Sequence, residues 1–299
     1  MSDQRRAYVY VAIVILLWST VASAFKIALR YLNFSQLVFY AVIFSVLTFF
    51  IILVQQGKLP LLTKCTRREY TRSLVLGMLN PFLYYLVLLR SYSLLPAQQA
   101  MCLNYTWAVQ LVILSIPLLG QRVGLRSIIA IMISYSGVVV IATRGDLTTL
   151  RVFDPLGVFL ALASALIWAL FWIYNIKDRR DEVVKLFLNF AFGLLFIVAY
   201  MVFFGDWAWP SVPGFLGAAY VGLFEMGITF VLWLKALHLS KTTAQVSNFV
   251  YLTPFLALVF ISIAVGETIL GSTVIGLVLI VAGIILQRYP AQQRPPGST

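Results

Sequence analysis

The chain has 299 residues, of which 62% are hydrophobic and only 11% charged, with a mean hydropathy of +0.95. Soluble domains run at about 45–50% apolar and about 25% charged, so this composition excludes a soluble globular protein and reads as an integral membrane one. A net charge of +12 could suit nucleic acid, but the basic residues lie in short clusters between apolar runs, without the interleaved aromatics of a single-strand platform.

Apolar stretches of roughly 20 residues, the length an α-helix needs to cross about 30 Å of hydrocarbon, recur along nearly the whole sequence. Lipid-exposed loop or open sheet is excluded there, so the spans are predicted helical. Cutting at charged or Gly/Pro-rich breaks gives ten of them: 8–30, 35–55, 72–94, 98–119, 126–143, 155–176, 185–204, 213–237, 242–264 and 270–288. The first follows Arg5 and Arg6, yet it is too long for the apolar region of a signal peptide and lacks a small-residue cleavage site. It is retained as a span.

With the N-terminus cytoplasmic, the clusters Lys58, Lys64, Arg67, Arg68, Arg72 and Lys177, Arg179, Arg180, Lys185 all fall inside. Only Lys26, Arg30, Arg90, Arg144 and Arg151 are then left for the core or the outside. That asymmetry matches the positive-inside rule. It predicts a multi-pass protein of the cell inner (plasma) membrane with both termini cytoplasmic, surrounded by the lipid bilayer and making no use of nucleic acid. The polar, Pro-rich stretch 290–299 reads as a flexible cytoplasmic tail.

The chain resembles itself. "GQRVGLRSIIAIMISYSG" (120–137) lies over "GETILGSTVIGLVLIVAG" (266–283) at an offset of 146, with glycines matching at both ends. At nearby offsets Tyr105 meets Tyr251, Gly77 meets Gly222, Arg90 meets Lys235 and Trp18 meets Trp168. Five spans per unit is an odd number, so the two units, 1–150 and 151–289, are expected to be inverted relative to each other. The charges agree: the link between spans 2 and 3 is strongly basic, whereas its counterpart around "GDWAWPSVPG" has Asp206 and no Lys or Arg. The expected fold class is all-α, ten transmembrane helices as two inverted five-helix repeats.

Two stretches carry a resemblance: "LLWSTVASAFK", with Trp18 and Lys26, and "YLTPFLALVFISIAVGETILGSTVIGLVLIVAG", with Pro254, the Gly266–Glu267 pair, Gly276 and Gly283. They resemble the drug/metabolite transporter superfamily, its ten-helix EamA-type branch, and within it the aromatic amino-acid exporters. The first half departs from the pattern, with Ala108 aligned to Pro254 and Gln121 to Glu267. The resemblance implies a central cavity lined by spans 1, 3, 4, 6, 8 and 9, and outward transport of metabolites.

The residues nearest the middle of the spans are unusually aromatic and amide-rich. Trp18, Asn80, Tyr84, Tyr105, Trp107, Trp168, Trp172, Glu225, Asn248 and Tyr251 form the candidate substrate-binding set. Indole N–H and phenol O–H groups need partners in hydrocarbon, so this set is expected to face a cavity or another helix rather than lipid; packing between helices is the alternative for each. Mid-span prolines remove a helix hydrogen bond, which makes Pro81 and Pro254 candidate hinges. Asn80, just before Pro81, is pushed from α geometry, and its amide could satisfy an exposed backbone group.

Ionisable groups within the membrane are few. Glu225 is mid-span and Lys26 sits in the outer half of span 1, poor provision for a phosphorylated solute and better suited to a zwitterion. A charge at the bilayer centre costs about 2.5–3.5 kcal/mol even on the cheaper scale, so Glu225 is expected to face the bundle interior. It could pair with a substrate amino group, act in proton coupling, or be a hydrogen-bonded structural acid. Cys65 and Cys102 show neither disulfide nor metal spacing. The lone histidine, His238, is expected in a loop. No catalytic constellation is evident, so the expectation is no enzyme, no cofactor and no metal.

The function that follows is a secondary transporter exporting amino acids, aromatic and other neutral ones, by alternating access and working as a monomer. A broader drug or metabolite exporter and a non-transporting membrane receptor are the alternatives.

Overall fold

The computed structural model describes residues 3–119, 124–240 and 248–288. Every element among the described residues is helical. Among the described residues eight helices are long and apolar enough to cross a membrane: α1 (Asp3–Ala28), α2 (Phe34–Gln55), α3 (Arg67–Leu94), α4 (Ala97–Leu118), α5 (Leu125–Ala142), α6 (Pro155–Asn175), α7 (Glu182–Phe204) and α8 (Val212–Leu239). Two shorter apolar helices follow, α9 (Phe249–Val265) and α10 (Gly271–Leu286).

Helix starts are set by side chains that accept from otherwise unpaired N–H groups. Asn33 with Gln36 opens α2, and Thr66 with Glu69 opens α3, each as a reciprocal capping box. The second explains why α3 begins five residues before the expected 72: the cap lies in the basic link, outside the apolar run that defined the span. Asp154, Asp181 and Ser211 cap α6, α7 and α8.

Among the described residues three helices are interrupted near their middles and a fourth, α9, is irregular at its start. In α3 a π-helical turn covers Met78–Leu83, where Asn80 is extended (φ −146°, ψ 120°) ahead of a cis Asn80–Pro81 bond. In α4 the helix pauses at Tyr105 and Thr106. In α8 a π-helical turn spans Val221–Glu225 and ends at Met226 and Gly227. The carbonyls opened there are satisfied from within the protein: Ser45 Oγ of α2 donates to Met226 O (3.0 Å), and Thr229 Oγ1 donates to Phe224 O. In α9 a 3₁₀ turn, Asn248–Leu252, leads into an α segment from Thr253.

Two local expectations change. Pro254 lies in the first turn of the Thr253–Phe260 segment, where its missing N–H breaks no helix bond; it starts a segment rather than kinking one. His238 lies in the last turn of α8 rather than in a loop.

The packing is close where small residues allow it. α5 and α10 lie side by side. A Cβ on Gly276 would meet the Gly137 carbonyl at 2.7 Å, one on Gly137 would meet the Gly276 carbonyl at 2.5 Å, and one on Gly283 the Ala130 carbonyl at 2.5 Å. Ser134 Oγ donates to Ile280 O across this seam (3.3 Å). Gly77 of α3 abuts the Asn189 carbonyl of α7, and Gly222 of α8 abuts the Ala41 carbonyl of α2. α1 packs on α8 and α9, and α6 on α3 and α4. These contacts ring a space that neither α5 nor α10 enters.

Candidate functional site

That space is a cavity of about 300 Å³, walled by α1, α3, α4, α6, α8 and α9. Eight of the ten expected binding residues line it: Trp18, Tyr84, Tyr105, Trp107, Trp168, Trp172, Glu225 and Tyr251. They converge because α3, α4, α8 and α9, the irregular helices, supply most of the wall. Asn80 does not join them. It is fully buried beside the α3 break, and neither of its side-chain polar atoms has a hydrogen-bond partner, so it satisfies no backbone group. The side chain of Asn248 lies outside the described residues.

The aromatic wall is continuous. The rings of Tyr84 and Trp168 lie 4.5 Å apart at 30°, Trp172 meets Trp168 edge-on at 5.7 Å, and Phe230 stands 5.9 Å from Trp168. Trp18 extends the wall, 6.4 Å from Phe230 and 5.6 Å from Trp233. Tyr84 Oη donates to Asn104 Oδ1 (3.4 Å), and Asn104 Nδ2 donates to Ser164 Oγ (2.9 Å), which fixes the amide's orientation.

Among the described residues Glu225 is the single carboxylate on this wall, and no Lys, Arg or His lines it. The π-helical turn that ends at Glu225 inserts an extra residue per turn and turns its side chain toward α3. There the fully buried Tyr85 donates its O–H to Glu225 Oε1 (3.2 Å). Oε2 is buried and has no partner, an expensive arrangement for a charged group unless something else supplies a donor. Lys26 does not approach it. Its ammonium donates to the carbonyls of Tyr92 (2.8 Å) and Leu95 (2.7 Å) instead.

Sequence reasoning missed Tyr85, Phe230 and Trp233. Tyr85 was within reach: it neighbours Tyr84, and the break expected at Pro81 implies that the helical phase shifts there. Among the described residues no cluster of His, Cys, Asp and Glu could hold a metal.

The sequence pattern of the EamA-like transporter family matches residues 5–143 and again residues 155–289. The chain belongs to the EamA-like transporter family. Among the proteins it is similar to, the uncharacterized transporter YvbV of Bacillus subtilis (strain 168) is 26% identical over 218 residues, covering 71% of this chain and 70% of that one. An uncharacterized transporter of Archaeoglobus fulgidus is 24% identical over 287 residues, covering 94% and 96%. A protein of known crystal structure shares the fold at a TM-score of 0.65 and 19% identity, covering 94% of this chain and 96% of that one. The EamA-like assignment makes this a multi-pass membrane transporter.

Proposed function

We propose that this transporter exports amino acids, aromatic and other neutral ones, from the cytoplasm by alternating access. The observation that carries the reading is the unpartnered Glu225 Oε2 inside an aromatic cavity. An ammonium group supplies the missing donor, the rings of Trp168, Tyr84 and Trp18 take an apolar side chain, and the indole and phenol hydrogens serve a carboxylate. The volume of about 300 Å³ accommodates one such molecule.

The membrane arrangement in this reading is ten spans in the inner membrane, with both termini cytoplasmic and each chain working alone. The halves 1–150 and 151–289 are inverted repeats. The two separate family matches support this, and so does the packing. Ser134 and Ile280, which bond to each other, are 146 positions apart, the offset that aligns the glycine runs. Under a two-fold exchange a residue on the axis touches its own counterpart, and the pair Gly77 with Asn189 becomes Gly222 with Ala41. The irregular helices also pair, α3 with α8 and α4 with α9, as expected of a carrier whose site forms at broken helices.

A second reading, a broader exporter of drugs and metabolites, is favoured by the lack of a basic side chain among the described residues of the cavity wall; a cation needs no partner for a carboxylate. Efflux of radiolabelled phenylalanine, threonine and an ethidium-like cation from proteoliposomes separates the two. Movement of the cation alone would refute the amino-acid reading.

A further inference from the structure

The cavity is not equally open at its two ends. Toward the end of the bundle that carries the N-terminus, the described wall residues Trp107, Leu111, Trp172, Trp233 and Tyr251 are half-buried. Toward the opposite, distal end the lining is buried. Phe25 and Tyr92 close it edge-on, with ring centres 5.3 Å apart.

Just beyond that plug lies the two-residue link Leu95–Pro96, between the end of α3 at Leu94 and the start of α4 at Ala97. It is held from both sides. The Lys26 ammonium of α1 donates to the carbonyls of Tyr92 and Leu95, at the C-terminal end of α3. Glu267, in the link between α9 and α10, accepts from the backbone N–H of Ala97 (2.7 Å) and Gln98 (3.2 Å), at the N-terminal end of α4. A cation on the helix C-terminus and an anion on the N-terminus both oppose the local dipole.

Glu267 reaches this position because the left-handed Gly266 (φ +80°) reverses the chain as α9 ends. Gln98 ties the same two links together further: its Nε2 donates to Thr268 O (2.9 Å), and its Oε1 accepts from Leu270 N (2.9 Å) and Thr273 Oγ1 (2.9 Å). Arg30, one turn beyond Lys26, donates to Val265 O at 3.0 Å. None of these groups lines the cavity, and the substrate-binding role described above uses none of them.

We propose that Lys26, Glu267 and Gln98, with Arg30, form the outer gate of the transporter. They are gating residues that hold the distal end shut in this state and must release the Leu95–Pro96 link before solute can leave on that side. The proposal rests on the transport function proposed above and adds the residues that control its outward step. Charges held on backbone groups suit such a role, because each contact is either made or lost and so favours two states over a continuum.

The test is accessibility from outside. Native thiols are removed with Cys65→Ser and Cys102→Ala, and a reporter is placed on the buried distal wall with Met101→Cys. Intact cells are then treated with a membrane-impermeant maleimide. With the gate residues intact, labelling is slow. Lys26→Met combined with Glu267→Gln should raise it about tenfold, since several charge-assisted bonds to the closed state are lost together. Lys26→Arg, which keeps a cation within reach of both carbonyls, should return it toward the starting rate.

Arg30→Gln, at an exposed position, gives a milder variant should the double one fail to fold, and a rise in labelling is expected there too. Unchanged labelling in monodisperse double variant or in Arg30→Gln would overturn the gate, as would Lys26→Arg labelling as fast as the double variant. Phenylalanine efflux is measured on the unaltered protein in parallel. Its absence would count against the proposed function, while the labelling still decides the gate.

Discussion

Glu225→Gln isolates the interaction on which the substrate reading depends. The amide keeps an oxygen where Oε1 accepts from Tyr85 Oη, so the local packing survives and only the charge is removed. A hydrogen bond to a charged group is worth about 1.5–3 kcal/mol and a neutral one about 0.5–1.5 kcal/mol. The difference of about 1–2 kcal/mol corresponds to about five- to thirty-fold in affinity. Binding of phenylalanine is followed by displacement of a radiolabelled ligand, beside an analogue whose amine is replaced by hydrogen. The amine-bearing ligand should weaken by that factor and the analogue should not. Equal loss for both, or none for phenylalanine, would mean that Glu225 is a structural acid and that Oε2 does not meet an ammonium.

Other consequences concern stability. Tyr85→Phe leaves a buried carboxylate oxygen without its donor, and a cost of about 1–3 kcal/mol is expected; in a thermal-unfolding double-mutant cycle with Glu225→Leu most of it should vanish. Gly276→Leu forces a side chain against the Gly137 carbonyl and Ile141, an overpacking of about 1–3 kcal/mol, whereas Gly271→Ala, with nothing within 4 Å, should leave the melting temperature unchanged. On the cytoplasmic side of the proposed topology, burial pushes the Asp178 carboxyl up. The hydrogen bonds and charge of Arg180 outweigh it and hold the group below the usual carboxylate value. A carboxyl depressed in the folded state stabilises fully above its unfolded value, near pH 4, and ceases to as the pH falls through its folded one. The melting-temperature gap between the unaltered protein and Asp178→Asn should therefore be constant from pH 7 to about pH 5 and narrow below about pH 4.

The spans were legible because hydrocarbon demands about twenty apolar residues in a row and admits little else. Their capped ends were less so, since Thr66 and Glu69 act from a polar link that hydropathy does not score. Most of the cavity wall could be read from Trp and Tyr at mid-span, where lipid offers their polar edges nothing. What sequence did not resolve is the phase of each helix after a break. The turn before Pro81 buries Asn80 away from the cavity and brings Tyr85 to Glu225, and single-residue spacing on an ideal helix cannot foresee that rotation. Pro254 shows the converse limit: a proline in an apolar run looks like a kink, yet the chain uses it to begin a helix after a 3₁₀ turn.

The seam between α5 and α10, glycine against backbone carbonyl and clear of the cavity, has a practical use. Glycines that already abut backbone carbonyls leave no room for sliding, so in the proposed alternating-access cycle these two helices stay fixed to each other. Spin labels on their exposed residues, such as Ile128 and Ile275, therefore define a ruler of constant length, against which the helix displacements of the proposed transport cycle can be measured.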